Sequence, residues 1–125
     1  MRLLIFSALL GLFSNHAIGA IVLSAQLDDL QKNLLVKVDF LGGCENHQFE
    51  LKLLGCRKQL PAQCVAFLVE KTFDRCDDPQ YAAIKFSLEK QGLTEAPYKG
   101  SRLIIYGDVD YQGESRSNAA VQLPN

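Results

Sequence analysis

The residues whose types and spacing could do chemistry begin with Cys44 and His47, which are separated by two residues. A thiolate and an imidazole at this spacing could provide two ligands of a zinc or copper site, or the nucleophile and base of a Cys–His dyad. His47 is the only histidine outside the first twenty residues. A metal site would therefore need further ligands from other cysteines or from acidic residues.

The remaining candidates for chemistry are acidic residues in expected turns. Residues 28–29 and 77–78 are paired aspartates, which are common as solvated turn residues. Residues 108–115, DVDYQGES, begin like a calcium loop, but Gly113 and Glu114 fall at the wrong offsets for an EF-hand. The sequence contains no C-x-x-C motif, Gly-rich phosphate loop or Ser/His/Asp set. We therefore predict that the protein is not an enzyme and uses no cofactor.

The first twenty residues have the anatomy of a cleaved secretory signal. Arg2 precedes an apolar run over residues 3–13, and a short polar stretch then ends in small residues. Cleavage after Gly19 or after Ala20 satisfies the small-residue rule, and the apolar run is shorter than the roughly 20 residues that an uncleaved anchor needs. We predict a signal peptide over residues 1–20 and a secreted or periplasmic mature protein without a membrane anchor.

The charge pattern argues against two kinds of partner. The chain has 13 Lys and Arg residues against 14 Asp and Glu, and loss of Arg2 with the signal leaves a formal charge of −2. The signs are interspersed, and the longest basic run is Arg57-Lys58. Because nucleic acids and anionic membranes attract a basic stripe, the sequence predicts neither as a partner.

Four cysteines in an exported chain indicate a framework of two disulfides. Their spacing, C-x11-C-x7-C-x11-C, is symmetric about residue 60. An antiparallel hairpin centred there would bring Cys56 to Cys64 beside the turn and Cys44 to Cys76 at the far end. We favour this nested pairing, Cys44–Cys76 with Cys56–Cys64, over the sequential alternative, Cys44–Cys56 with Cys64–Cys76.

The hydrophobic pattern supports the same hairpin, because apolar and polar residues alternate on both sides of the expected turn. With facing residue numbers that sum to 120, Leu51 would face Val69 and Leu53 would face Phe67. Apolar side chains would then meet apolar side chains. A slip of one residue would break this match, whereas a slip of two would preserve it.

The mature sequence consists of short alternating segments separated by turn residues. We predict strands over residues 20–27, 34–40, 47–55, 62–71, 81–89 and 101–108. This series indicates an all-β domain over residues 21–108, a small antiparallel sandwich or barrel of about six strands that is stapled by two disulfides. Residues 109–125 are mostly polar, and we expect a flexible tail.

One short pattern includes residues from both ends of the expected hairpin. It reads Gly-Gly-Cys-x-x-His-x-Phe-x-Leu and later Asp-x-Cys, and its residues are Gly42, Gly43, Cys44, His47, Phe49, Leu51, Asp74 and Cys76. This pattern resembles one in small uncharacterised secreted or lipid-anchored bacterial β-proteins, although no cysteine lies near the cleavage point here. The resemblance implies that Cys44 pairs with Cys76, and it implies no activity.

The predicted disulfide leaves His47 with a structural role. It shares strand parity with Phe49 and Leu51, so we expect it at the rim of the core, hydrogen-bonded at the start of a strand. The predicted function is a non-enzymatic interaction module or a structural module of the envelope, with a protein or an envelope component as its partner. The contact surface would be the loops near 44–47 and 72–80, or an exposed sheet edge. The alternative is a metal-binding or redox protein that uses Cys44 and His47.

Overall fold

The computed structural model describes residues 19–59, 62–109, 113 and 115–125. Most of the predicted signal peptide, residues 1–18, lies outside the described residues. Within them the chain forms strands and no helix, which confirms the all-β class. The strands are β1 (Ile21–Leu27), β2 (Asn33–Gly42), β3 (Phe49–Arg57), β4 (Gln63–Glu70), β5 (Asp78–Ser87), β6 (Arg102–Val109) and β7 (Arg116–Gln122).

The strands form two open sheets that share one hydrophobic core. The smaller sheet has the order β1-β2-β5, and the larger has the order β3-β4-β6-β7. Neighbouring strands are antiparallel except β4 and β6, which run parallel. This departure from the expected antiparallel arrangement arises because β5, which lies between them in sequence, belongs to the other sheet. Parallel neighbours need such a crossover.

The core is built from the inward-facing residues of both sheets. Leu34, Val36 and Val38 on β2 are fully buried, as their strict alternation predicts. They belong to one apolar cluster with buried residues of the larger sheet, among them Leu51, Ala66, Leu68, Leu103 and Ile105.

The β3–β4 hairpin contains one extra residue on β3. Cys56 pairs with Cys64, as the cysteine symmetry predicts, but the register shifts between Leu53 and Gly55. Gly55 has a φ of 121°, and the intervening Leu54 is 52% exposed. These are the properties of a β-bulge that uses a glycine with positive φ. Because strand side chains alternate, one extra residue reverses the face of β4 that meets the core.

The predicted pairing within this hairpin is therefore wrong beyond the bulge. The structure pairs Leu51 with Leu68 and not with Val69. The same shift removes the predicted pairing of Leu53 with Phe67. Leu68 is buried, whereas Val69 is 38% exposed. The odd-numbered apolar residues of β4 thus lie on the outer face of the sheet.

The prediction of a flexible tail over residues 109–125 is also wrong. Arg116–Gln122 forms β7, which pairs with β6. Its inward residues Ala119 and Val121 pack against the core, and the next inward residue, Leu123, is buried. The small side chains of β7 give little hydrophobic contrast in sequence. Its position is decided by backbone hydrogen bonds to β6, which would otherwise be an unpaired edge.

Two disulfides join Cys44 to Cys76 and Cys56 to Cys64, and no cysteine is free. These are the nested pairs that the spacing favoured. Disulfides are typical of an oxidising compartment, either extracellular or periplasmic. Within the part of the chain that the structure describes, no helix is long and apolar enough to cross a membrane.

Candidate functional site

One end of the sandwich is formed by the turn between β2 and β3, residues 43–48, and the loop between β4 and β5, residues 71–77. The disulfide between Cys44 and Cys76 joins the two segments. Hydrogen bonds of Gln48 with residues 71 and 72, each 2.8 Å, continue the β3–β4 hairpin beyond its strands. We call this joined unit, residues 43–48 and 71–77, the clasp.

His47 lies at the centre of the clasp, and both of its ring nitrogens contact carboxylates. Nδ1 contacts Oε1 of Glu70, and Nε2 lies 2.8 Å from Oδ2 of Asp74. The side chains of His47, Glu70 and Asp74 are 4%, 11% and 1% exposed. The structure thus places the histidine at the rim of the core, where its strand parity predicted it.

Asp74 is the acceptor that organises the clasp. Its Oδ2 accepts hydrogen bonds from the amides of Cys44 (3.2 Å) and Glu45 (3.0 Å), and its Oδ1 accepts from the amide of Cys76 (2.9 Å). Burial raises the pKa of Asp74, but the hydrogen bonds from His47 and these amides outweigh burial and hold the pKa well below its usual range. Asp74 is therefore a firmly ionised carboxylate.

The two carboxylates favour the charged form of the histidine. Burial lowers the pKa of His47, but the hydrogen bonds with Asp74 and Glu70 outweigh it and raise the pKa above its ordinary value. Burial raises the pKa of Glu70, and the contact with His47 offsets this only in part. The charged form of His47 is thus favoured by its position between one carboxylate whose pKa is lowered, Asp74, and one whose pKa is raised, Glu70.

The residues before the turn leave room for the imidazole ring. A Cβ atom at Gly42 would lie 2.5 Å from Nε2 of His47 and 2.9 Å from Oδ2 of Asp74. The ring of Phe40 lies 4.6 Å from the imidazole, centroid to centroid, and 5.4 Å from the ring of Phe49. The histidine therefore fits only because residue 42 has no side chain.

A groove of about 500 Å³ lies beside the clasp, on the side of the sandwich where β5 and β3 are the edge strands. His47 and Asn46 line one end, and Gln80 and Lys85 line the β5 side. The floor is apolar, partly buried and packed against the core, and consists of Phe40, Phe49, Ala82 and Ile84. A volume of this size falls within the range of about 300–1,000 Å³ that is usual for ligand sites.

A second cavity of about 400 Å³ lies on the other side of His47. It is lined by the β4–β5 loop, including Thr72, Phe73 and Arg75. His47 lines both cavities, so the clasp forms a rigid wall between them.

Cys44 and His47, the residues of the alternative metal site, are not arranged as metal ligands. The Sγ atoms of Cys44 and Cys76 and a carboxylate oxygen of Asp74 lie within 4.8 Å of one another. The two sulfurs are bonded to each other, however, and a thiolate is the form that binds metals. Both ring nitrogens of His47 already contact carboxylates.

Of the other acidic candidates, Asp28 has structural partners, and Asp110 and Glu114 lie outside the described residues. Asp28 accepts hydrogen bonds from the amides of Lys32 (2.9 Å) and Asn33 (3.1 Å), which closes the β1–β2 turn. A hydrogen bond from the Asn33 side chain, together with those amides, lowers the pKa of Asp28. Asp110 and Glu114 of the calcium-like stretch are not among the described residues.

The sequence interpretation missed the roles of Glu70 and Asp74. Two signals could have identified them. Glu70 shares the inward parity of Leu68 at the end of β4, where a charged residue needs a partner. Asp74 precedes the disulfide-bonded Cys76 by two residues, which is a common position for a side chain that accepts a hydrogen bond from a nearby amide.

The fold and the clasp define a class of protein: a small two-sheet all-β domain that is stapled by two disulfides. No protein-family model, curated protein or solved structure significantly matches the chain. The clasp and the groove are therefore the features that bear on function.

Proposed function

We propose that this protein is an exported, non-enzymatic binding module that takes an extended apolar segment of a partner protein in the groove between β5 and β3. Export is supported by the signal-like sequence over residues 1–20 and by the two disulfides. The resemblance of the Gly-Gly-Cys-x-x-His pattern to secreted bacterial β-proteins agrees with this location.

The observation that carries the proposal is an apolar groove next to an edge strand. β5 is ten residues long and pairs with β2 on one side. Alternate residues of an edge strand direct their backbone N–H and C=O groups outward, where they can pair with an added strand. Every second side chain of the added strand would point towards the groove floor at Ala82 and Ile84. Backbone pairing would provide affinity, and the floor would select apolar side chains.

The clasp supports binding more than catalysis. The disulfide and the four hydrogen bonds of Asp74 hold the end wall of the groove in one conformation. A rigid site lowers the entropic cost of association. A catalytic histidine needs a ring nitrogen available to the substrate, whereas both nitrogens of His47 contact carboxylates. The oxidised cysteines offer no nucleophilic thiolate.

The test uses displayed random peptides of about twelve residues, long enough to lie along one strand. We expect the selected peptides to alternate apolar and polar residues and to shift the backbone NMR signals of β5. Ala82→Glu should weaken their binding at least about tenfold, because it places a charge on the groove floor. Tyr81→Glu is the control, since Tyr81 is 60% exposed on the opposite face of β5 and does not line the groove.

Two results would contradict the proposal. One is the absence of any selected peptide whose binding shifts the signals of β5. The other is equal loss of binding in Ala82→Glu and Tyr81→Glu, with both variants folded, because the floor would then contribute nothing specific. Thermal melts of both variants establish that they are folded.

A further inference from the structure

The outer face of the larger sheet carries an apolar centre that the core does not use. Two cross-strand rows form it, Val65–Ile104–Ala120 and Phe67–Tyr106. The rings of Phe67 and Tyr106 lie 5.8 Å apart, centroid to centroid. Exposed Leu54 and Val69 extend the apolar area along β3 and β4. We call this surface, on the solvent side of β3-β4-β6-β7, the outer face.

Basic side chains surround this apolar centre. Gln63 pairs with Arg57 on one side and with Arg102 on the other, so both arginines border the Val65 row. Lys52 pairs with Phe67 at the β3 edge. These three basic residues are exposed.

A fourth basic group lies at the β7 side of the outer face. The guanidinium carbon of Arg116 lies 4.8 Å from the centroid of the Phe67 ring. Among the described residues of this face, the acidic side chains of Glu50 and Asp108 lie near its other end and have partners. Glu50 lies 3.8 Å from the Lys71 ammonium, and the carboxylate of Asp108 contacts the amides of Gly19 and Val109. The apolar centre therefore carries a positive border in a chain whose formal charge is −1.

This composition is that of a protein–protein interface. The solvent-facing side of a sheet is normally polar, so a continuous apolar centre there indicates a contact surface. Interfaces have an apolar centre and a polar border and are enriched in Phe, Tyr and Arg. Four strands about 4.8 Å apart and eight residues of about 3.3 Å each cover roughly 500 Å² in plan, which matches a small, transient interface.

We propose that the outer face binds a protein partner that presents an apolar patch bordered by acidic side chains. The positive charges of the border favour an acidic partner. They disfavour a second copy of this chain, because docking face to face would bring arginine against arginine. A bilayer surface is less suitable, because the apolar side chains lie within a border of charges and glutamines. The sequence pattern does not reveal this surface, since its basic residues come from three strands: Lys52 and Arg57 from β3, Arg102 from β6 and Arg116 from β7.

The experiment selects displayed random peptides on the wild-type protein and measures each binder on two charge-reversed variants. The first variant, Arg57→Glu with Arg102→Glu, reverses the border of the outer face. The second, Lys32→Glu with Lys90→Glu, changes the net charge equally at exposed residues away from that face. Exposed substitutions of this kind usually alter stability by less than about 0.5 kcal/mol. Thermal melts verify that both variants fold.

We expect a class of selected peptides in which Asp and Glu flank apolar residues. Their binding should shift the NMR signals of Phe67, Ile104 and Tyr106 and should weaken as salt is added. It should fall at least about tenfold in Arg57→Glu/Arg102→Glu and less than about twofold in Lys32→Glu/Lys90→Glu. Peptides of the groove would instead respond to Ala82→Glu and not to the arginine variant, so the two proposals can fail separately.

Three outcomes would overturn the proposal. The first is a selection without acidic–apolar peptides, or one whose peptides bind both charge variants equally. The second is sedimentation with vesicles of about 30% anionic lipid that is lost in the arginine variant, because the face would then bind lipid. The third is concentration-dependent dimerisation that the arginine variant abolishes, because the partner would then be a second copy.

Discussion

Nε2 of His47 lies 2.8 Å from Oδ2 of Asp74, across 27 residues of sequence. This contact joins the turn before β3 to the loop after β4, beside the disulfide that links the same two segments. Because Glu70 contacts the other ring nitrogen, the histidine is held by charge on both sides. The contribution of the clasp to the free energy of unfolding therefore depends on pH.

The first prediction concerns stability at neutral and alkaline pH. The raised pKa of His47 stabilises the fold fully below about pH 6.5, its unperturbed pKa, and this contribution is lost as the pH rises through the higher folded pKa. The raised pKa of Glu70 has the same effect: its contribution to stability is present below about pH 4.5 and is lost as the pH rises above that value. The free energy of unfolding should fall as the pH rises above about 6.5, and much less in His47→Gln. Urea unfolding of the wild type and of His47→Gln at a series of pH values measures this free energy.

Asp74 changes the stability in the opposite direction, because its contribution is lost as the pH falls. Its lowered pKa stabilises the fold above about pH 3.8, and the contribution is lost as the pH falls towards the lower folded pKa. Asp74→Asn should therefore remove part of the acid-induced loss of stability. An alkaline loss that is identical in wild type and His47→Gln would show that the histidine does not carry the pH dependence.

The second prediction concerns Gly42. Gly42→Ala should destabilise the protein by about 1–3 kcal/mol, because the added methyl group would lie against the His47 ring and the Asp74 carboxylate. The double variant Gly42→Ala/His47→Ala should recover part of this cost, since the ring is gone. Denaturant unfolding of the two single variants and the double variant measures the coupling. Additive costs would mean that the ring and residue 42 do not interact.

The third prediction tests the register that the bulge imposes on β4. Leu68→Ala should cost about 2–5 kcal/mol, because Leu68 is buried in the core. Val69→Ala, one residue on, should cost less than about 1 kcal/mol, because Val69 lies on the outer face. The bulge-free register would reverse this order. Chemical denaturation of the two variants separates the two arrangements.

The fourth prediction compares the two disulfides. Cys44–Cys76 closes a loop with a sequence separation of 32, and Cys56–Cys64 one with a separation of 8. On the chain-entropy model, replacing the wider pair by serines should cost about 1 kcal/mol more than replacing the narrower pair. Unfolding of the two double-serine variants measures the difference.

A thiol count with a non-reducing tryptic map tests the connectivity first. Trypsin sites lie between each neighbouring pair of cysteines, at Lys52, at residues 57–58, and at Lys71 and Arg75. The nested pairs should be found, with no free thiol. Free thiols at residues 44 and 76 would instead favour the metal or redox alternative, and metal analysis would follow.

The fifth prediction concerns processing of the amino terminus. Ala20 is 2% exposed, and its carbonyl accepts a hydrogen bond from the Asp108 amide at 2.8 Å. Cleavage after Gly19 keeps this core residue, whereas cleavage after Ala20 removes it. We expect amino-terminal sequencing of the exported protein to begin at Ala20. A mature chain that begins at Ile21 would contradict this expectation.

The sequence by itself determined the strands with strict alternation and the framework of cysteines. Leu34, Val36 and Val38 are identified as core residues because a period of two is a local property of a strand. The symmetric cysteine spacing favours the nested disulfides, because facing residues of a hairpin have a constant index sum. The alternation depends on neighbours in the chain and the cysteine spacing can be counted along it, so both can be read without a tertiary structure.

Only the tertiary structure decided the register of β4, the partners of His47 and the basic border of the outer face. The bulge at Gly55 follows from a positive φ that Gly allows but does not require, and one inserted residue reverses a whole strand face. Glu70 and Asp74 reach His47 from 23 and 27 residues away, because packing brings separate segments together. Such contacts depend on how the two sheets assemble, which local periodicity does not encode.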